Sequence, residues 1–397
     1  MRDHSPEANP YDWPVKKPLW IVAAVIFLDT LFYSAIAPLL PEYASRFGLS
    51  DGTAGLLVGS YAVANLLAAL PSSGLVTRVG IKKTLVAGLT LLSGSCLLFG
   101  FAESFEVLVG ARFVQGIGGA LAWTAGISWI AADADPERRG EAIGSVVAAA
   151  VVGLIVGPAI GALASEIGIG VTFAAVAAIG AMVALWSTLV PAPTPVGTKL
   201  REILGQGRAP LWFAVWLVTL PAILAGCLEV VIPLELDEFG ASALVIGAIF
   251  TGSAVVEAVF APLIGRLSDE RGRLVPLRLG LISTTLLVFA LAFATSVPTV
   301  AIGVTLVFAA LQLFWTPGMA LVADICDRLG LDQGITGALT NLAWAGGAAI
   351  GSLAAGGLAE AAGRPVAYGL LVLLCALSAT AFFLGRSWAG DELVSGG

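Results

Sequence analysis

Charge is scarce in this chain of 397 residues. Only 12% of its side chains are charged and 58% are hydrophobic, against roughly 25% and 45–50% in soluble domains. A soluble core cannot hide so much apolar surface, so the surrounding medium is predicted to be lipid. Histidine is nearly absent. The single one, His4, lies in a polar N-terminal tail, which excludes a histidine-based triad or proton relay. Cysteine is sparse too: Cys96, Cys227, Cys326 and Cys375 stand singly in apolar segments, without metal or redox spacing, and read as small packing residues. No metal or other cofactor is expected. The net charge of −7 comes with no basic patch, so no nucleic-acid partner is expected. Nothing resembles a nucleophile–base pair or a phosphate-binding loop.

Long apolar runs are what the chain does have. They are about 20 residues long and lack period-2 alternation, which excludes a membrane barrel and leaves helices. They fall at roughly 19–41, 53–73, 83–102, 107–132, 142–165, 168–190, 211–234, 243–265, 275–295, 298–323, 333–358 and 364–386. The fold class is therefore an all-α membrane protein with twelve transmembrane helices. The first run is too long for a signal peptide and contains Asp29, so it is expected to stay attached.

An even number of crossings puts both termini on one side. Lys and Arg collect in alternate connections: Lys16 and Lys17, Arg78, Lys82 and Lys83, Arg138 and Arg139, Lys199, Arg201 and Arg208, Arg266, Arg271, Arg273 and Arg278, then Arg328 and Arg386. The opposite loops hold Arg46 and Arg364 among Glu103, Glu106, Glu235, Asp237 and Glu238. The positive-inside rule predicts cytoplasmic termini. The predicted layout is a cytoplasmic tail (1–18), a six-helix bundle (19–190), a Pro- and Gly-rich cytoplasmic linker (191–210), a second six-helix bundle (211–386) and a cytoplasmic tail (387–397). Short loops without a targeting signal point to a prokaryotic plasma (inner) membrane.

The halves echo each other. Trp123-Thr124-Ala125-Gly126 matches Trp315-Thr316-Pro317-Gly318 about 192 residues later, and each segment runs on to an acid, Asp133 or Asp324. Next come glycine-spaced helices, with Gly153, Gly157 and Gly161 in one half and Gly347 and Gly351 in the other. Parallel repeats of this kind imply two pseudo-symmetric bundles with a site between them near the midplane.

Several local patterns carry a family resemblance. Gly265-Arg-Leu-Ser-Asp269-Glu-Arg-Gly272-Arg273 resembles the gating loop of major facilitators; the first-half counterpart runs through Arg78 and Gly80 but has Thr77 in place of the Asp. Arg112-x2-Gln115-Gly116-x-Gly118-Gly119 resembles the fourth-helix motif of proton antiporters, and Gly153-x3-Gly157-Pro158-x2-Gly161 the antiporter motif of the fifth. Phe27-Leu28-Asp29-Thr30, Ala37 to Tyr43, and Leu228-Glu229 with Ile232-Pro233 are similar to the vesicular monoamine transporters and their bacterial multidrug:proton relatives. The chain departs from the vesicular proteins at Gln312 and Asn341, where they carry acids, and at Tyr61, where they carry a lysine. The resemblance implies the major facilitator fold, a monomer, and export of small organic cations, amines or drugs, in exchange for protons.

Four ionisable residues fall within predicted spans: Asp29, Arg112, Glu229 and Glu257. A mid-helix charge costs roughly 2.5–3.5 kcal/mol on insertion scales, so each must face a cavity, pair, or bind a proton. Asp29 reads as a protonatable site for which a cationic substrate or Arg112 competes, or as a structural ion pair. Glu229 reads as a proton or substrate site facing Asp29, or as an outer-vestibule charge. Arg112 is functional or a snorkelling side chain; Glu257 is a second proton site or the partner of a basic residue. Asn65, Gln115, Gln312 and Asn341 line the cavity or bind helix to helix. Trp315 is a candidate for stacking on a cation, while Gly153, Gly157, Pro158 and Gly161 read as packing and hinge residues. Two other readings stay open: efflux of a neutral metabolite such as a sugar or amino acid, and a non-transporting membrane receptor or scaffold.

Overall fold

A computed structural model of the protein describes residues 17–134, 138–194, 209–329 and 333–384. The tail with His4 and Lys16, the linker residues 195–208 with Lys199, Arg201 and Arg208, and the C-terminal segment with Arg386 lie outside the described residues, as does the predicted tail 387–397. Every regular element among the described residues is helical. The first crossing is built from α1 (Lys17–Ser34), a 3-10 turn (Ala37–Leu39) and α2 (Leu40–Phe47). There follow α3 (Asp51–Val79), α4 (Ile81–Gly100), α5 (Phe105–Asp133), α6 (Arg139–Ile167) and α7 (Ile169–Leu189). The second set is α8 (Ala209–Glu238), α9 (Ala243–Arg271), α10 (Leu274–Leu291), α11 (Val297–Arg328), α12 (Gln333–Ala362) and α13 (Arg364–Leu384). Twelve crossings among the described residues are long and apolar enough to span a bilayer.

Two differences from the predicted spans have physical causes. The first crossing is not one helix: Pro38 and Pro41 lack an N–H, and the chain tightens into a 3-10 turn before restarting as α2, which reaches Phe47. Many helices also outrun the apolar segment that marks them. The second apolar run, predicted at 53–73, belongs to a helix of 29 residues that starts where Ser50 accepts from the Thr53 N–H and stops at Gly80, φ +95°. Hydropathy marks the hydrocarbon slab, whereas caps and glycines set where a helix ends. Ser104 and Ser242 cap α5 and α9 in the same way.

Glycine decides how closely these helices approach. A Cβ added at Gly153 would meet the Phe27 carbonyl at 2.6 Å, and one at Gly157 or Gly161 would strike the Leu31 or Ala35 carbonyl. α6 therefore lies directly on the α1 backbone. α12 lies on α8 in the same manner, with Gly347 against the Thr219 carbonyl at 2.6 Å and Gly351 against that of Ile223. Two apolar cores fill the first half, one toward each end, and a larger one fills the second.

The halves meet along two seams, α3 against α12 and α6 against α9. In the first, a Cβ on Gly55 would lie 2.6 Å from the Ser352 carbonyl; in the second, one on Gly247 would lie 2.8 Å from that of Pro158. Polar contacts close the face opposite the termini. Arg364 binds Asp51 across the seam at 3.1 Å and Glu238 at 2.8 Å. Glu360 accepts from the Ser50 hydroxyl at 2.9 Å and the Gly52 N–H at 3.0 Å.

Candidate functional site: a pair of membrane carboxyls

Asp29 sits eleven residues into the first crossing, which begins at Pro18, hence about 16 Å along the helix axis. It is 1% exposed. The Tyr61 hydroxyl donates to its two oxygens at 3.2 and 3.1 Å, and the Trp123 indole donates to Oδ2 at 2.9 Å. No Lys or Arg pairs with it among the described residues. The reading of Asp29 as a fixed ion pair is thus not what the geometry contains. Gly119 makes the arrangement fit, since a Cβ there would lie 2.8 Å from both Asp29 Oδ1 and the Tyr61 hydroxyl.

Glu229 comes from α8, in the other half. The Tyr33 hydroxyl donates to its Oε2 at 2.6 Å, so a residue one helical turn beyond Asp29 reaches the second carboxyl. The Tyr33 and Tyr61 rings lie 4.8 Å apart and Trp344 meets both edge-on, at 5.6 and 6.3 Å. Arg112 lies over the same rings, its guanidinium carbon 5.6 Å from the Tyr33 centroid and 5.3 Å from that of Tyr61. The two carboxyls, one from each half, are therefore bridged by two tyrosines around one arginine.

Arg112 is fully buried, which removes the snorkelling alternative. It donates to Gln115 Oε1 at 2.7 Å and to the Tyr33 carbonyl at 3.5 Å. Its Nε and Nη2, with Gln115 Nε2, have no hydrogen-bond partner among the described residues. A buried guanidinium with spare donors is costly, and the faces of two aromatic rings offset part of that cost.

Glu257, half-buried on α9, has no basic partner among the described residues; it accepts from Gln312 Nε2 at 3.3 Å. Asn341 Nδ2 donates to Asn65 Oδ1 at 3.3 Å across the α3–α12 seam. That contact binds helix to helix. Trp315 is half-buried and makes no polar contact among the described residues; its first-half counterpart Trp123 is the one that touches an acid. Nothing in the sequence singles out Tyr33 and Trp344, because an aromatic in an apolar helix gives no sign of which face it occupies. Tyr61 carried a signal as a departure from the vesicular pattern, and Trp123 as half of a repeat.

At the terminal face, Arg273 binds Asp269, donates to Asp324 at 3.2 Å and to Ser268 at 3.3 Å. This cluster ties the ends of α9 and α11 to the start of α10, with Gly272 at φ +83° making the turn. Gly265, about two turns before Gly272, could carry a Cβ in ordinary contact with Thr316, at 3.8 Å. In the first half the Thr77 hydroxyl donates only to the Gly74 carbonyl, at 2.9 Å, and Arg78 is exposed.

Comparison with known proteins places the fold. The family model described as Major Facilitator Superfamily matches residues 22–228 and 211–392. The chain is 27% identical over 333 residues to Multidrug resistance protein 1 of Bacillus subtilis (strain 168), over 82% of this chain and 85% of that protein. It is 28% identical over 223 residues to the vesicular acetylcholine transporter of Drosophila melanogaster, over 49% of this chain and 39% of that one. Among solved structures it resembles a bacterial homologue of the human lysosomal transporter Spinster, with a TM-score of 0.77 and 18% identity over 95% of this chain and 97% of that. It also resembles the D-xylose–proton symporter, with a TM-score of 0.73 and 17% identity over 92% and 96%. These are membrane carriers and not enzymes. With twelve helices in two like sets and a family match over each, the chain belongs to the Major Facilitator Superfamily.

Proposed function

We propose that the protein is a proton-coupled antiporter that exports small organic cations by alternating access of its two halves. One observation carries the reading. Two membrane carboxyls, Asp29 and Glu229, come from opposite halves and are held by neutral donors around a shared aromatic cluster. A carboxyl that binds either a proton or a cation, but not both comfortably, couples the two fluxes, because linkage between ligands is reciprocal. Arg112 supplies an internal competitor, since two of its nitrogens are unpartnered beside the same tyrosines. Similarity to multidrug resistance and vesicular acetylcholine transport proteins supports an amine or drug cargo.

In this mechanism a substrate enters from the cytoplasm while the acids are deprotonated. Protons from outside then replace it, and the halves rock about the closed α3–α12 and α6–α9 seams. The charge pattern of the loops supports cytoplasmic termini, which makes the Arg364 face the outer one. The chain works as a monomer in a prokaryotic plasma membrane.

A second cargo is favoured by the amides. Gln312 and Asn341, where vesicular relatives carry acids, are neutral hydrogen-bonding groups, suited to a sugar or an amino acid. Proton release from purified protein separates the readings. Adding tetraphenylphosphonium is expected to release protons from the native chain and not from Asp29→Asn. No release with organic cations, alongside binding of a neutral metabolite, would overturn the cation reading.

A further inference from the structure

The same loop of the two halves handles charge differently. Gly80 and Gly272, with φ of +95° and +83°, mark equivalent turns. Counting from them, Thr77 stands where Asp269 does and the buried Ile81 where Arg273 does. In the second half Arg273 is held by Asp269 and Asp324, and Arg278 lies over the Phe382 ring at 5.8 Å. The first half keeps Asp133 as the counterpart of Asp324 but has Thr77 in place of Asp269, and its positive charge stands one and two residues further along, at Lys82 and Lys83.

Those lysines stand at the mouth of a groove of about 540 Å³ on the lipid-facing side of α4 and α7. Below them the wall is formed by Val86, Ala87 and Leu91, with no acidic side chain in the lining. Lys82 donates one proton to the Thr188 carbonyl at 3.0 Å, which fixes its ammonium at the groove mouth with two donors to spare. Lys83 is exposed and has no hydrogen-bonding or ionic partner among the described residues. On α7 beside the groove, Leu185 and Leu189 are 66% and 76% exposed and Trp186 is 39% exposed, as side chains facing lipid and its interface are. Lys83, Ala87 and Leu91 share one helix face, so the groove runs from charge to hydrocarbon over about 12 Å.

We propose that this groove is a binding site for one anionic phospholipid. Its phosphate sits between Lys82 and Lys83, and its acyl chain lies along Val86, Ala87 and Leu91. The headgroup supplies at this corner the negative charge that Asp269 supplies in the other half. Charge complementarity selects the occupant: two cations with no acid call for an anion, and the apolar wall beneath them calls for a hydrocarbon tail.

The test is native mass spectrometry of the full chain in non-ionic detergent, with phosphatidylglycerol, phosphatidylcholine or inorganic phosphate added in turn. The native protein is expected to retain one phosphatidylglycerol and neither of the others. Lys82→Gln with Lys83→Gln should weaken retention by roughly 25-fold, about fivefold for each lysine near an anionic headgroup. Ala87→Trp fills the groove without touching the charges and should weaken it as well. Should the double variant fail to remain monodisperse, the exposed Lys83→Gln alone carries the test. Undiminished phosphatidylglycerol retention in the lysine variants would overturn the proposal. So would equal retention of phosphatidylcholine, which would mean unselective annular lipid, or binding of inorganic phosphate alone, which would mean an ion site.

Discussion

The two halves of this molecule agree where backbone touches backbone and disagree where charge meets charge. α6 on α1 and α12 on α8 use the same device, a row of glycines set against carbonyls of the first helix in the half. The acids and bases follow no such rule. Asp29 is enclosed by Tyr61 and Trp123 within its own half, whereas Glu229 is held by Tyr33 from the other. In the terminal-face cluster, Asp269 and Arg273 have Thr77 and Ile81 at the matching positions, and only Asp324 keeps an acid, Asp133, as its counterpart. A glycine contact admits no substitute, because any Cβ collides with main chain that cannot turn aside. A charge can be answered by a tyrosine, an indole or an arginine from several directions, so charged positions drift while packing positions stay.

The largest effect should come from breaking what the halves share. Gly157→Leu would drive a side chain into the Leu31 carbonyl and the Ser34 hydroxyl, with an overpacking cost of about 3 kcal/mol or more. Loss of monodisperse protein and of transport is expected. The matching Gly351→Leu should do the same to the α8–α12 contact, and a well-folded, active Gly157→Leu chain would break the comparison.

Next comes a change in what they do not share. Asp29→Asn keeps the shape of the side chain, and its oxygen still accepts from Tyr61 or Trp123. Folding should survive within about 1 kcal/mol, while pH-driven export should fall to background. Transport by this variant at the native rate would remove Asp29 from the coupling mechanism.

This division also explains what could be read from the sequence. The twelve crossings were legible because lipid demands about 20 apolar residues for each, and the close approach at Gly153, Gly157, Gly161, Gly347 and Gly351 because glycine spacing of four marks it; the seams between the halves, at Gly55 and Gly247, were not. Asp29, Arg112, Glu229 and Glu257 stood out as charges in apolar runs. Their partners did not. Tyr33, Tyr61, Trp123 and Trp344 belong to an apolar background, and only a third dimension shows that two of those rings flank one guanidinium. The sequence leaves open whether Arg112 pairs with Asp29 or competes for it, and the structure gives Arg112 to Gln115 and the tyrosine faces.

A smaller effect is expected at the seal between the halves. Arg364 is 16% exposed on its side chain and Asp51 23%, so Arg364→Gln removes a partly sheltered pair and the contact to Glu238 with it. Loosening by about 1 kcal/mol would shift the balance of the two access states by about fivefold. Accessibility of a cysteine introduced at Ser352 to a water-soluble thiol reagent should rise by that factor in chains whose four native cysteines are replaced by Ala. No change would mean that the glycine seam alone holds this face shut.

The smallest effect belongs to the terminal-face cluster and sharpens the comparison most. Asp269 is 69% exposed on its side chain, so its bond to Arg273 is screened by water, and Asp324 remains as a second partner at 3.2 Å. Asp269→Asn should therefore lower stability by under about 1 kcal/mol, read as a small drop in thermal midpoint. Thr77→Asp in the first half should not raise it in return, because the residue matching Arg273 is Ile81, 1% exposed, and a buried isoleucine offers nothing for a carboxylate to bind. If Thr77→Asp alone stabilised the protein as much as Asp269→Asn destabilised it, the two loops would be interchangeable, and the inference that the first half recruits its negative charge from elsewhere would lose its basis.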